Sequence, residues 1–393
     1  MSSILQKFHI DYSYPVYFTR DLFSQANPVF LRTVARLEPE KRHRVLFVID
    51  RGVFLAHELL VSNIKRYFLA HGHFLDLAGE PVIVTGGEAV KNDPEQVLEL
   101  VRELDRRGID RQSFISVIGG GAVLDMACFA AALSHRGIRT IRIPTTVLSQ
   151  SDSGVGVKSG VNFCGKKNLV GTFVPPFAVL NDFSFIRTLD RREKVAGISE
   201  AIKVALIRDA EFFDYLEENV KQVAALEPEV VRSIIERSAR HHLQHIGSCG
   251  DPFESGSARP LDFGHWSAHK LESMTQNRIR HGEAVALGIT LDCIYSAAAG
   301  FLSPDSLERI LILLEGVGFQ LWDDALLERD REEYLLLQGL QEFQEHLGGA
   351  LSITLLRRIG ESFEVHEMDQ ALVLDSILAM QERRPAASFL NRF

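Results

Sequence analysis

The sequence predicts an α/β unit followed by an all-α unit, on two observations. As far as Asp182, short runs rich in β-branched residues alternate with helical patterns, as α/β units do. Beyond Arg187 these runs give way to long segments with apolar residues every three or four positions. The change falls between Asp182 and Asp190 and divides the chain into residues 1–183 and 184–393.

Four runs, Val45–Ile49, Pro81–Val84, Phe114–Ile118 and Thr140–Ile143, are almost continuously apolar. That is the pattern of strands covered on both faces, hence of a largely parallel sheet. Phe8–Phe18 alternates instead, and predicts an antiparallel edge hairpin. In the second part, helices are expected over Ala210–Ala225, Val230–Ile246, Gly264–Met274, Gly282–Ala299 and Leu307–Val317. Ser303-Pro304 starts the last of these, with a capping hydroxyl followed by a proline whose missing N–H costs nothing there.

With 393 residues, 46% of them hydrophobic and 24% charged, the chain can build two cores. A net charge of −9 argues against nucleic acid as a partner, while a local basic pocket could still take a small anion. The N-terminus has no secretory pattern. The most apolar stretch, Ala284–Ala299, is interrupted by Asp292, is too short for a membrane span and reads as a buried helix. Cys128, Cys164, Cys249 and Cys293 lie far apart without CxxC spacing, which suits reduced thiols in the cytoplasm.

Gly119, Gly120 and Gly121 directly follow the Phe114–Ile118 run and precede a small-residue helical pattern, Ala122–Leu133. In that setting glycines let a backbone approach a pyrophosphate at a helix N-terminus, although a tight turn without a ligand looks the same. Asp50 ends the Val45–Ile49 run, where it could accept ribose hydroxyls or simply be a solvated turn residue. Glu88 and Lys91 follow the Pro81–Val84 run.

His265 and His269, four apart, share a helix face; His281 opens the next helix, and Glu200 lies on an earlier one. Two imidazoles and a carboxylate suit a catalytic divalent metal such as zinc. His241 and His245 have the same spacing, but an exposed polar face explains them equally well.

The ordered series GGEAVK, GGGAVLDMACFAAALSHRG, IPTTVLSQSDSGVGVKSGVN, GKKNLVGTF, GISEAIK, DFGHWSAHKLE and HGEAVALG resembles the 3-dehydroquinate synthase family over residues 45 to 300, with a weaker tail to 360. The resemblance implies a dinucleotide-binding α/β domain, a helical metal-binding domain, NAD, and one divalent ion per subunit, zinc or cobalt. It implies metal ligation by Glu200, His265 and His281. NAD would be held by Asp50, Glu88, Lys91, Gly119, Gly120, Gly121, Thr145, Thr146, Asp152, Lys158 and Lys167. The catalytic residues would be Lys203, His269, Asp152, Lys158 and Asp262, and the substrate residues Asp125, Arg136, Lys167, Asn168, Gln244 and Arg259. From the residues alone, Asp152 and Lys158 read as parts of a Ser/Gly-rich loop, and Lys167-Asn168 as turn-like after a glycine. Lys203 sits one helical turn from Glu200, where a simple salt bridge would also explain it, and His269 could equally be a satisfied core histidine. Arg136 resembles an arginine that reaches a neighbouring subunit's site, which implies a homodimer.

The activity implied is transient oxidation of a sugar phosphate by NAD, elimination of phosphate, reduction, and aldol closure to a carbocycle. Yet Asp251–His265, laid on the family pattern DExExGxRxxLNxGH, carries Ala258 for its arginine, with Arg259 displaced by one position, and Asp262 for its asparagine. The upstream lysine is Gln244, and a late lysine pair falls at Gln344-Glu345. A substrate carboxylate facing Asp262 without a fixed cation would cost several kcal/mol, roughly, so a substrate lacking it is expected. Sedoheptulose 7-phosphate fits, and the DFGHWSAHKLE wording, with His269 where the 2-epi-5-epi-valiolone type carries proline, resembles the 2-epi-valiolone synthase and ebo-type group. True dehydroquinate synthesis, with Arg259 bending back, and a metal-dependent polyol dehydrogenase are the alternatives.

Overall fold

The computed structural model describes residues 3–8, 10–164, 166–248, 253, 260–347 and 351–383. Two compact units emerge, Met1–Thr145 with Ser153–Thr188, and Thr146–Asp152 with Leu189–Phe393. The first segment of the second unit is therefore a seven-residue piece borrowed from the middle of the α/β part.

The first unit is built on a seven-stranded sheet. In chain order the unit's strands are β1 (Val16–Thr19), β2 (His43–Asp50), β3 (Leu75–Leu77), β4 (Val82–Val84), β5 (Phe114–Gly119), β6 (Arg139–Pro144), β7 (Lys158–Phe163), β8 (Lys166–Phe173) and β9 (Ala178–Asp182). The sheet order is β1-β9-β6-β5-β2-β3, and β4 also pairs with β2. All of these pairings are parallel. β2 shows why the apolar runs do not alternate. Leu46 and Val48 enter a core with Ile115, Val117 and the helix Gly121–Leu133, whereas Val45, Phe47 and Ile49 enter the opposite core with Phe30, Tyr67 and Ile143. Each such fully buried side chain contributes about 1.5–3 kcal/mol, so a strand with two buried faces excludes polar residues from both.

Three sequence expectations are corrected here. Among the described residues of Phe8–Phe18 there is no antiparallel hairpin: the strand β1 pairs in parallel with β9, Val16 opposite Val179. Phe8, Ile10 and Tyr12 are exposed, so their alternation reports no partner strand. Lys158 opens β7 and Lys167 and Asn168 lie in β8, so these residues are in an antiparallel ribbon and not in loops or turns. Glycines drew the loop reading, but Gly160 faces Gly171, where a Cβ would lie 2.7 Å from the Val170 carbonyl oxygen. They mark close approach of two backbones.

The second unit is organised around the helix His281–Ala298, which buries Gly282 and every residue from Ala284 to Ser296. A helix apolar on all sides belongs in a core. Helices Ile198–Arg208, His265–Met274, Pro304–Val317 and Gln370–Glu382 surround it. The expected helix over Ala210–Ala225 is two, Ala210–Glu218 and Val220–Ala225, broken at Asn219, whose side chain donates to the Tyr215 carbonyl. Two short antiparallel ribbons, Arg329–Asp330 with Glu333–Tyr334 and Ile353–Arg358 with Glu361–Val365, accompany the helices. Among the described residues no helix is long and apolar enough to cross a membrane.

Candidate active site

In the first unit, the carboxyl ends of parallel strands gather the expected dinucleotide residues. Asp50 lies opposite Val84 and Gly119 opposite Pro144, so the segments that leave β2, β4, β5 and β6 emerge along one edge. This is where open parallel sheets bind ligands. Asp50 caps the helix Arg51–Ala56, accepting from Gly52 N at 2.7 Å. Burial pushes its carboxyl up, against the pull of the Gly52 and Val53 N–H groups. A Cβ on Gly86 would stand 2.5 Å from both Asp50 carboxylate oxygens, so the β4 segment passes close over that acid.

Gly120 caps the helix Gly121–Leu133 from extended backbone (φ −72°), so the triplet serves close approach and not left-handed geometry. A Cβ on Gly121 would stand 2.7 Å from Ser153 Oγ. Thr145 is buried and donates its N–H to the Gly119 carbonyl at 3.1 Å, while Thr146 caps the helix Val147–Ser151.

A polar network centred on buried Lys91 and Asn162 lies in the same unit. Lys91 Nζ reaches Asp125 Oδ2 at 2.8 Å and Asn168 Oδ1 at 2.5 Å. Burial pushes the Asp125 carboxyl up, and Lys91 opposes it. Asn162 donates to Glu88 Oε1 (3.1 Å) and Asn92 Oδ1 (2.8 Å) and accepts from Asn168 N (2.9 Å). The Lys158 carbonyl accepts from buried Arg142, and Lys167 is half-buried on β8. Arg136 is exposed on a turn in which His135 (φ 51°), Arg136 (φ 62°) and Gly137 (φ 111°) are all left-handed.

The second unit assembles the expected metal set. Glu200 on Ile198–Arg208, His265 at the head of His265–Met274 and His281 at the head of His281–Ala298 bring one ligand atom each to within 4.8 Å of one another. Neither Glu200 oxygen accepts a hydrogen bond, although the residue is fully buried. Instead Lys203 Nζ, His265 Nε2 (3.5 Å) and His281 Nε2 (3.4 Å) all point at it. Each imidazole is oriented through its other nitrogen: His265 Nδ1 pairs with the Phe263 carbonyl at 3.0 Å and His281 Nδ1 with Glu272 Oε2 at 3.1 Å. A buried carboxylate, two Nε2 atoms aimed at it and outer partners on both rings fit a divalent ion.

The charges around this point are tightly matched. Burial disfavours ionised Glu200, but Lys203, His265 and His281 outweigh it and hold the carboxyl well below its ordinary range. Burial likewise opposes the Lys203 charge, and Glu200 and Asp152 push it back up, with Asp262 adding to them. His281 stands at about 10, because Glu272 and Glu200 overcome its burial. Asp152, at the end of Val147–Ser151, stands at about 2 despite burial, through His242 and Lys203. Its Oδ1 lies 2.6 Å from His242 Nδ1.

His269 stacks near the cluster, its ring 5.4 Å from that of His265 and 6.3 Å from that of His281, but is not in the ligand group. Asp262 is half-buried on the turn Pro260–Asp262. His241 pairs with Asp209 (2.7 Å) and His245 with Arg208 (2.7 Å), as surface histidines do. Gln244 and the Gln344-Glu345 pair are exposed, and Ala258 and Arg259 lie outside the described residues.

Three residues here carried no expected role. Glu272 could have been found, since 265, 269 and 272 follow the i, i+4, i+7 spacing of one helix face. Asn162 stands inside the quoted SGVN motif. His242 had no signal, hidden between two surface histidines.

Models of the 3-dehydroquinate synthase N-terminal and C-terminal parts match residues 81–196 and 197–337. A 3-dehydroquinate synthase of Solibacter usitatus (strain Ellin6076) is 37% identical over 305 residues, 77% of this chain and 83% of that one. Among solved structures, 2-epi-5-epi-valiolone synthase from Streptomyces hygroscopicus subsp. jinggangensis 5008, with NAD+ and Zn2+ bound, superposes with a TM-score of 0.84. It is 28% identical, and the match covers 97% of this chain and 100% of that one. A 2-deoxy-scyllo-inosose synthase complexed with carbaglucose-6-phosphate, NAD+ and Co2+ shares the fold at a TM-score of 0.71 and 22% identity, covering 92% of this chain and 95% of that one.

Proposed function

The chain belongs to the 3-dehydroquinate synthase family, and we propose that within this family of sugar phosphate cyclases it converts sedoheptulose 7-phosphate to a C7 cyclitol of the 2-epi-valiolone type, releasing phosphate. The enzyme uses NAD and a divalent metal, zinc or cobalt, as its structural neighbours do. Bound NAD supplies reversible oxidation of a substrate hydroxyl, and a divalent ion supplies charge stabilisation at the oxygen concerned.

The remaining work falls to the chain. Glu200, His265 and His281 would hold the ion. Gly119, Gly120 and Gly121 would admit a pyrophosphate to the head of their helix, Asp50 would accept ribose hydroxyls, and Glu88, Lys91, Thr145 and Thr146 would complete the NAD cradle. Asp125, Lys158, Lys167 and Asn168 would bind the sugar phosphate. Lys203, buried and cationic, would orient the reacting oxygen, while Asp152 and His269 would move protons during elimination and ring closure. Arg136, exposed on its left-handed turn, would reach the neighbouring subunit of a homodimer.

Asp262 carries the substrate assignment. Where dehydroquinate synthases carry asparagine, this chain places a half-buried acid whose charge is felt at Lys203. With Glu200 and Asp152 already nearby, a substrate carboxylate would meet repulsion there, whereas the hydroxyls of a neutral ketose end would donate to it. The names of the sequence relatives favour a second reading, 3-dehydroquinate synthase itself. Purified protein with NAD and zinc or cobalt, given each sugar phosphate separately, decides between them. Phosphate release from sedoheptulose 7-phosphate without stoichiometric NADH is expected. Release from the dehydroquinate precursor alone overturns the reading, and stoichiometric NADH would mark a polyol dehydrogenase.

A further inference from the structure

His242 projects from Pro228–Ser248 so that its Nδ1 meets Asp152 Oδ1 at 2.6 Å, with side-chain exposures of 13% and 26%. The charged groups around the pair come from each neighbouring element, including the helix Arg191–Ala196 packed on Val147–Ser151, whose Arg192 pairs with Glu283 and Glu193 with Arg280 and which also carries Arg191 and Lys194. Val147–Ser151 ends in Asp152; Ile198–Arg208 presents Glu200, Lys203 and Arg208, the last paired with His245. Asp209 is engaged by His241, the short helix Val220–Ala225 offers only exposed Lys221, and the Pro260–Asp262 turn adds Asp262. Within this set Glu200, Asp152 and Asp262 all act on Lys203, and His242 meets Asp152 directly.

We propose that His242 is a positioning residue of the reaction: its imidazole fixes the Asp152 carboxylate beside Lys203 and balances an acid of the protein itself. The assignment rests on the cyclase reading above and deepens it. Gln244, two positions on in the same helix, is exposed. His242 is already engaged by Asp152 at 2.6 Å. It is therefore not available to a substrate carboxylate, as a ketose phosphate requires. Asp152 is half-buried, and an unmatched anion with reduced access to water is unfavourable. The neighbouring imidazole is the largest favourable influence on its ionisation, which stands at about 2.

The test uses the metal-loaded enzyme with NAD and whichever sugar phosphate has been shown to release phosphate, so a dehydroquinate-type substrate overturns the functional reading yet leaves this test intact. His242→Ala is expected to lower kcat about 100-fold while retaining bound metal. The acid limb of its kcat/KM profile should move to higher pH as Asp152 loses its partner. His242→Asn, whose amide nitrogen can stand near the Nδ1 position, should recover most of kcat. His242→Ala with Asp152→Asn should be no worse than Asp152→Asn alone. Wild-type turnover in His242→Ala, losses that multiply in the double variant, or an unmoved acid limb without rescue by asparagine would each overturn the proposal. If His242→Ala fails to fold, the acid limb of His242→Asn decides: raised supports the assignment, unmoved overturns it.

Discussion

His281 turns Nδ1 to the buried carboxylate of Glu272, 3.1 Å away, and so leaves Nε2 facing Glu200 at 3.4 Å. The ring cannot rotate without giving up that contact, so Glu272 selects which nitrogen is offered to an ion. Glu272→Ala is expected to weaken zinc binding about 10–100-fold, read by competition with a chelator. Unchanged affinity would show that packing alone orients the ring.

The same carboxylates hold the His281 imidazole protonated up to about 10. An imidazole must be neutral to ligate, so below that pH an entering ion displaces its proton. Zinc uptake at pH 7 should therefore release about one proton from this residue, and apparent affinity should climb about tenfold per pH unit between pH 6 and 8. Calorimetry in buffers of different ionisation heat measures the release. A pH-independent affinity would contradict it.

Gly282 follows His281 where the helix start passes Ala196 so closely that a Cβ would lie 1.9 Å from the Ala196 carbonyl oxygen. Only displacement of one backbone from the other could make room. Gly282→Ala is expected to cost about 1–3 kcal/mol or more, seen as a lower urea midpoint, and to reduce metal content because His281 moves with the helix. An unaltered midpoint would mean that the helix start yields easily.

Asp50 sits beneath Gly86 and beside Gly119, with its carboxylate bonded to Gly52 N. If it accepts ribose hydroxyls, Asp50→Ala should raise the NAD dissociation constant about 10-fold, the value of one good charged hydrogen bond. Zinc affinity should stay as it was. Equal NAD affinity by fluorescence titration would assign Asp50 to helix capping alone.

The sequence by itself determined the order of the two units, four of the parallel strands and most helices of the second unit, because period and apolar run length are local properties that burial imposes residue by residue. The family resemblance implied Glu200, His265 and His281 as a ligand set, whereas spacing by itself paired His265 with His269; the three ligands come from three different helices. The tertiary structure alone decided what those residues meet. Asp152 pairs with His242 across 90 positions of chain and Asn168 with Lys91 across 77, and no local pattern encodes such contacts. Lys158 read as part of a loop and Lys167-Asn168 as a turn until β7 and β8 were brought together, and the strand within Phe8–Phe18 found a parallel partner in β9 where an antiparallel hairpin was expected. Short motifs register what a residue can do; only packing determines which neighbour it does it with, because the energy of a buried charge depends on what surrounds it.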